Sequence, residues 1–262
     1  ELKAMRAHPA FEGRIDRDAI VSLLRHNYIR GPGSIYQGVA KLAPGHILRL
    51  AADGAASKHC YWDFDAIARN GVADDGMART GNDPEAVLAE LDALLRDAVA
   101  KRTIADVPLG AFLSGGIDSS TVVALMQAQS TRPVRTFTIG FDEAGYDEAQ
   151  QAKAVAAHLG TDHTELYADP AHARDVIPRL PEWFDEPFAD ASQIPTYLVS
   201  QLTRNHVTVA LSGDGGDEVF AGYTRYLWAD AIWKRLRPLP HALRRAAAGG
   251  VRALPPHAWD SL

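Results

Sequence analysis

From Val107 onward the chain alternates short apolar runs with helix-length stretches. The first junction between the two is Leu113-Ser114-Gly115-Gly116-Ile117-Asp118-Ser119-Ser120. Apolar runs fall near 107–113, 134–140, 162–167 and 207–212. Helical stretches fall near 118–129, 147–159, 171–184 and 192–205, the third interrupted by Pro178 and Pro181. Short buried strands separated by helices of this length predict right-handed βαβ units and a mostly parallel sheet. In such sheets ligands bind beyond the carboxyl ends of the strands.

The first glycine-rich turn lies at such an end. A turn of Ser and Gly opening a helix leaves backbone N–H groups unpaired and aims them at one spot, where the helix terminus adds partial positive charge. That geometry suits phosphate or pyrophosphate. The turn is not a Walker A loop, because no Lys follows its glycines. A plain corner capped by serines would use the same residues. The last strand, Val207 to Leu211, opens into Ser212-Gly213-Asp214-Gly215-Gly216-Asp217-Glu218 and then Val219-Phe220-Ala221-Gly222-Tyr223. Three carboxylates at one strand end are costly unless water or a cation neutralises them. Magnesium with bound ATP phosphates would do so, since it takes few carboxylate oxygens alongside phosphate and water. A solvated acidic turn is the plainer alternative.

The Ser-Gly-Gly-x-Asp-Ser form resembles the PP-loop of ATP pyrophosphatases, which cleave ATP between the α- and β-phosphates and pass AMP to a substrate oxygen. SGGIDSS followed by SGDGGDEVFAGY is similar to the synthetase domain of glutamine-dependent asparagine synthetases. Phe137 to Phe141 resembles that family's second nucleotide-side strand. Asp185-Glu186-Pro187-Phe188-Ala189-Asp190 with Ile194 to Leu198 resembles the substrate-side segment of bacterial members. Ser34 to Leu50 resembles the last strands of the family's glutaminase domain.

The resemblance implies a Rossmann-like α/β fold, a parallel sheet with flanking helices, preceded by the tail of an N-terminal-nucleophile glutaminase domain. It implies amide formation from aspartate, ATP and glutamine-derived ammonia through a β-aspartyl adenylate, with ATP and Mg2+ bound. Backbone N–H groups of Ser114, Gly115, Gly116, Asp118, Ser119 and Ser120 would hold pyrophosphate, the three serine hydroxyls assisting. Leu113 and Ile139 would flank adenine or ribose, and Ser212 and Gly213 would touch the nucleotide. Asp118 and Asp217 would bind magnesium. Asp214 matches a catalytic acid that is glutamate in many members. Asp185, Glu186, Ser192 and Thr196 would shape the amino-acid pocket, though turns and helix caps would use the same residues. The family's pyrophosphate-binding lysine has no clear counterpart here. The pocket leaves open a sugar acid, a lactam or a cyclising peptide as acceptor.

On this basis residues 1–65 read as the tail of a glutaminase domain, 66–82 as a linker rich in Gly, Asp, Ala and Asn, and 83–262 as the synthetase domain. The chain reads as an internal fragment. The family's glutaminase uses an N-terminal cysteine, whereas the lone Cys60 is internal and reads as a small, partly buried residue.

Residues 16–29 are helical in period, with Ile20, Leu23, Leu24 and Asn27 on related faces, and Gly31-Pro32-Gly33 ends them. Ser34 to Leu50 reads as paired strands around Ala43-Pro44-Gly45. Asp83-Pro84-Glu85 starts a helix whose stripe is Val87, Leu88, Leu91, Leu94, Leu95, Ala98 and Val99.

At 47% hydrophobic the chain can bury a core. A net charge of −6 argues against nucleic acid as a general partner. One cysteine excludes an intramolecular disulfide and points to a reducing, cytoplasmic setting. No apolar run reaches the roughly 18 residues that span a bilayer. Arg225, Lys234, Arg235, Arg237, Arg244 and Arg245, with Trp228 and Trp233 among them, read as an amphipathic helical region; a tRNA-contacting patch is the alternative, opposed by the overall acidity. His158 and His163 lack zinc-ligand company. A homodimer is the expected assembly of the full-length enzyme.

Overall fold

The computed structural model describes residues 1–73, 83–141, 148–168, 170–253 and 255. The chain divides into two compact units, Glu1–Ser212 and Gly213–Leu262.

The first unit begins with an N-terminal module. Helix α1 (Leu2–Arg6) is followed by α2 (Arg17–His26). Asp16 caps α2 by accepting from Asp18 N, and Asn27 closes it in the left-handed conformation at φ 66°. Asn tolerates that conformation because its short polar side chain bonds locally. Ala19, Ile29 and Ile35 form a small core with Leu2, Leu23 and Tyr36. Leu24, expected on the apolar face, is 79% exposed. Strand β1 (His46–Leu50) pairs antiparallel with β2 (Ala56–Cys60), not with residues 34–42 as the sequence suggested. Residues 33–40 make only isolated bridges, Gly33 to Ala40 and Tyr36 to Ile15. The turn between the paired strands is Ala51–Ala55, where Ala51 N donates to Ala55 O, rather than Ala43–Gly45. Cys60 lies exposed in β2, where a side chain on a two-stranded ribbon has no second layer to cover it.

Helix α3 (Phe64–Ala73) occupies the first part of the segment expected to be a linker; residues 74–82 lie outside the described residues. Helix α4 (Pro84–Arg102) starts as the sequence dictated, with Asp83 accepting from Glu85 N at 3.0 Å and proline in the first turn. Its apolar stripe is covered only at the end: Val99 is buried and Leu95 packs beside it, while Val87, Leu88 and Leu94 are exposed.

The sheet of the first unit is four-stranded and parallel. Its strands are β3 (Leu109–Phe112), β4 (Arg135–Phe141), β5 (Asp162–Ala168) and β6 (Val209–Leu211), in the order β5-β4-β3-β6. Helices α5 (Ile117–Ala128) and α6 (Ala149–Leu159) link the first three strands. Together with α4 they cover one face, burying Val123, Leu125, Met126, Ala152 and Ala156 against Ala111, Leu113 and Val134. After β5 come α7 (Pro170–Val176), a 3-10 turn at Ile177–Arg179, α8 (Leu180–Trp183) and α9 (Gln193–Arg204). Pro178 and Pro181 break this stretch as expected, since neither can donate to a preceding turn. This group covers the other face, where Phe137 and Ile139 meet Leu198, Val199 and Leu202.

The second unit holds α10 (Gly216–Phe220), α11 (Thr224–Leu236) and α12 (His241–Ala253). Arg244 lies over the Trp233 ring at 5.3 Å, so part of the basic character of this unit is engaged with its own aromatic residues. Trp228 is 70% exposed.

Candidate nucleotide site

The strand order runs outward in one direction from β3 to β4 and β5, and in the other from β3 to β6. The point where the chain reverses direction across the sheet therefore lies between β3 and β6, at their carboxyl ends. Ala111 is in register with Leu211. Leu113-Ser114 and Ser212 thus leave adjacent strands on the same rim. A cavity of about 880 Å3 lined by Leu109, Arg132, Arg135 and Asp162 opens at the opposite rim, beside the strand starts.

The turn after β3 is held in shape by its own residues. Ser119 Oγ donates to Gly116 O (3.2 Å), lies 3.0 Å from Ser114 Oγ, and accepts from Ser114 N (3.2 Å). Gly116 N donates to Ser114 Oγ at 3.3 Å. Gly115 sits at φ +80°, where a side chain is strained, and a Cβ there would come within 2.8 Å of Ala152 N. Glycine is required twice at this position, by its backbone angle and by the close approach of α6. Gln151 on α6 donates from Nε2 to Gly115 O at 2.9 Å, which fixes the turn from outside. Nothing in the local sequence marks Gln151; only the packing of α6 against the turn assigns it that contact.

Gly116 caps α5 without a side-chain bond, so the first-turn N–H groups of Ile117, Asp118 and Ser119 have no intrahelical acceptor. Ser120 Oγ is buried without a hydrogen-bond partner. Asp118 is half-buried in this first turn, where the helix dipole favours an anion. The arrangement offers donors and one spare hydroxyl to an anionic group. The Ser114 and Ser119 hydroxyls, expected to assist the ligand, are engaged in building the turn.

Leu113 and Ile139 were expected to flank one base. Their side chains lie on opposite faces of the sheet: Leu113, 1% exposed, packs under α5 and α6, whereas Ile139 packs toward α7 and α9. Alternation along parallel strands produces this separation. Leu113 N already donates to Phe137 O at 2.9 Å, so its remaining polar group is the carbonyl.

Asp185 and Glu186 are occupied away from the turn. Asp185 Oδ2 accepts from Leu2 N at 2.8 Å and its Oδ1 lies 3.6 Å from Lys3 Nζ. These backbone donors and the lysine outweigh burial and hold the Asp185 carboxyl below its ordinary range. Glu186 Oε1 accepts from Ile35 N at 2.7 Å, and Oε2 pairs with Lys41 Nζ at 2.5 Å. The structure does not bring these two side chains to the glycine turn; they hold the N-terminal module. Ser192, at the N-cap of α9, and Thr196, in its first turn, are exposed, with Ser192 N donating to Asp190 Oδ1 at 2.8 Å.

In the second unit, Gly213 and Asp214 open the acidic turn and Asp217 is half-buried at the start of α10. The Asp217 carboxylate lies so close to Gly222 that a Cβ there would clash, and Gly222 N donates to Asp217 O at 3.0 Å. Glu218 accepts from Tyr223 Oη at 2.8 Å, which lowers the carboxyl and raises the phenol. Asp118, Ser114 and Ser212 belong to the first unit, and Gly213, Asp214 and Asp217 to the second. Among the described residues no three His, Cys, Asp or Glu side chains gather as a metal site.

A doubly wound parallel sheet with a glycine turn at its switch point defines an α/β protein of the Rossmann-like class. The family model for asparagine synthase matches residues 90–259, and that for a glutamine amidotransferase domain matches residues 1–62. The chain belongs to the asparagine synthase family. It is 39% identical over 232 residues to a putative glutamine-hydrolysing asparagine synthetase of Methanocaldococcus jannaschii, covering 88% of this chain and 42% of that protein. A putative glutamine-hydrolysing asparagine synthetase of Mycobacterium bovis is 37% identical over 251 residues, covering 94% and 36%. The chain therefore spans about two fifths of the length of these curated relatives. An NH3-dependent NAD synthetase of Campylobacter jejuni aligns with a TM-score of 0.37 at 15% identity over 52% of this chain and 60% of its own, too slight a likeness to bear on the fold. No helix among the described residues is long and apolar enough to cross a membrane.

Proposed function

We propose that the protein carrying this chain forms an amide from a carboxylate, ATP and glutamine-derived ammonia, and that the carboxylate is aspartate. The observation that carries the reading is the turn after β3: uncapped first-turn N–H groups and the buried Ser120 hydroxyl, at the switch point of the sheet. Family membership supports the rest.

A free carboxylate resists attack because its leaving group would be oxide. Transfer of AMP to the carboxylate supplies a good leaving group, and ammonia then displaces AMP from the acyl carbon. In this reading the N–H groups of Ile117, Asp118 and Ser119, with the Ser120 hydroxyl, hold the departing pyrophosphate and neutralise its charge. Asp118 and Asp217 would hold magnesium, which would neutralise charge on the phosphates. Asp214 assists adenylate formation. Leu113 contributes its carbonyl to the nucleotide and Ile139 an apolar wall, with Ser212 and Gly213 alongside. Ser192 and Thr196 line the acceptor pocket. A cytoplasmic homodimer completes the reading.

The test is ATP–pyrophosphate exchange with the full-length gene product. Exchange that depends on aspartate is the expected result. Exchange with other carboxylic acids but not aspartate would refute the substrate, and no exchange with any carboxylate would refute the reaction.

A further inference from the structure

Among the described residues, the N-terminal module is fastened to one short segment, residues 182–189, by a set of hydrogen bonds and ion pairs. Leu2 N and Lys3 N donate to Asp185, Lys3 Nζ donates to Glu182 O and Trp183 O, Ile35 N donates to Glu186, and Ala189 N donates to Asn27 O at 2.7 Å. Lys41 is the central cation. Its ammonium lies against the Glu186 carboxylate and donates to Ile29 O at 2.9 Å. The Glu186 side chain is 15% exposed and both its carboxylate oxygens have partners, whereas the Lys41 side chain is 41% exposed, so the carboxylate is sheltered while the ammonium still meets water. A pair with one exposed partner adds little to stability, but the bonds from Ile35 N to Glu186 and from Lys41 to Ile29 O fix its geometry. A cavity of about 450 Å3, lined by Leu2, Met5, Val39, Lys41, Phe184 and Phe188, runs along the same seam.

The fastened segment leads within a few residues into α9. Arg135 at the start of β4 reaches the carbonyl of His206, just after α9, so the end of α9 lies at the rim where the strands begin. The start of α9 therefore lies about 18 Å away, since its 12 residues rise about 1.5 Å each, at the rim that carries the glycine turn.

We infer that Lys41 and Glu186 are positioning residues, which hold residues 182–189 against the N-terminal module just ahead of the nucleotide rim. Through them, ammonia release in the amidotransferase part and its capture at the rim stay coupled. This rests on the amide-forming reading above. Neither residue touches a reacting atom. The pair holds the seam closed so that nitrogen released on one side is delivered on the other.

The experiment compares wild type, Lys41→Met and Lys41→Arg in the full-length gene product, with glutamine or ammonium as nitrogen source. Amide product and released glutamate are both counted. For Lys41→Met, glutamine-driven amide falls about tenfold while glutamate release continues, so glutamate formed per amide rises about tenfold, within the usual span of couplings between distinct sites. Ammonium-driven product stays within about twofold, and Lys41→Arg, which retains the charge, keeps the wild-type ratio. Equal losses with both nitrogen sources, or an unchanged ratio, would overturn the inference. If Lys41→Met does not fold, Lys3→Met removes the neighbouring contacts to Glu182 O and Trp183 O and is read by the same ratio. A wild-type protein that makes no amide from ammonium refutes the reaction itself, which separates that failure from failure of the seam.

Discussion

Gly115→Ala is the sharpest probe of the turn, because two penalties fall on one atom. The residue sits at φ +80°, where an L-side chain costs about 1–2 kcal/mol. The added methyl would also lie 2.8 Å from Ala152 N, 2.8 Å from Gln151 Cγ and 2.9 Å from Gln151 C. Two of those atoms are backbone of α6 and cannot swing aside, so the overpacking term is about 1–3 kcal/mol. The sum is about 2–5 kcal/mol. It appears either as lost stability or as a displaced turn whose N–H groups no longer converge. Gly160→Ala is the matched control. Gly160 has φ +71° with nothing within 4 Å of its added Cβ, so it carries the backbone strain alone. Urea titration should show Gly115→Ala less stable than Gly160→Ala by about 1–3 kcal/mol, the overpacking difference. If the turn moves instead of the fold failing, calorimetry with Mg·ATP should show affinity weakened by about five- to a hundredfold, at 1.4 kcal/mol per decade. Equal stabilities together with equal nucleotide affinity would refute the argument that α6 presses on this turn.

Phe137 on β4 is 1% exposed beneath α9, so Phe137→Ala should lose about 3–5 kcal/mol in denaturant titration. Burial pushes His163 below its ordinary 6.5, against an opposing pull from Glu165. The unfolded chain then takes up its proton at higher pH than the folded one, and stability falls as pH drops from about 6.5 toward the lowered folded value. Melting temperatures of His163→Gln between pH 7 and pH 5 should show a shallower decline than wild type; an identical slope would remove His163 as the cause. Asp118→Ala should abolish the magnesium-dependent part of ATP affinity in calorimetry, and unchanged magnesium dependence would remove Asp118 from the metal.

Much of the architecture was legible because it depends on local chemistry. Apolar runs bounded by small residues become strands, Asp83-Pro84-Glu85 starts a helix, Pro178 and Pro181 break one, and glycine marks the turn at 115. These follow from backbone geometry that each residue carries with it. The Ser34–Leu50 pairing failed because a strand's partner is set by what lies across from it, and residues 56–60 lie across from 46–50. The helix at 64–73 was missed because its composition resembles a linker while its amphipathic period is short.

The site divides in the same way. Sequence alone determined that two strand ends carry small residues and acids, and that the first opens a helix, because turn conformation and helix polarity are properties of consecutive residues. Tertiary structure alone decided that Leu113 and Ile139 face opposite layers, that Gln151 secures the turn, and that Asp185 and Glu186 hold the N-terminal module. Those outcomes depend on strand order, face alternation and contacts between residues far apart in the chain. Side chains acquire such roles only when packing selects their neighbours.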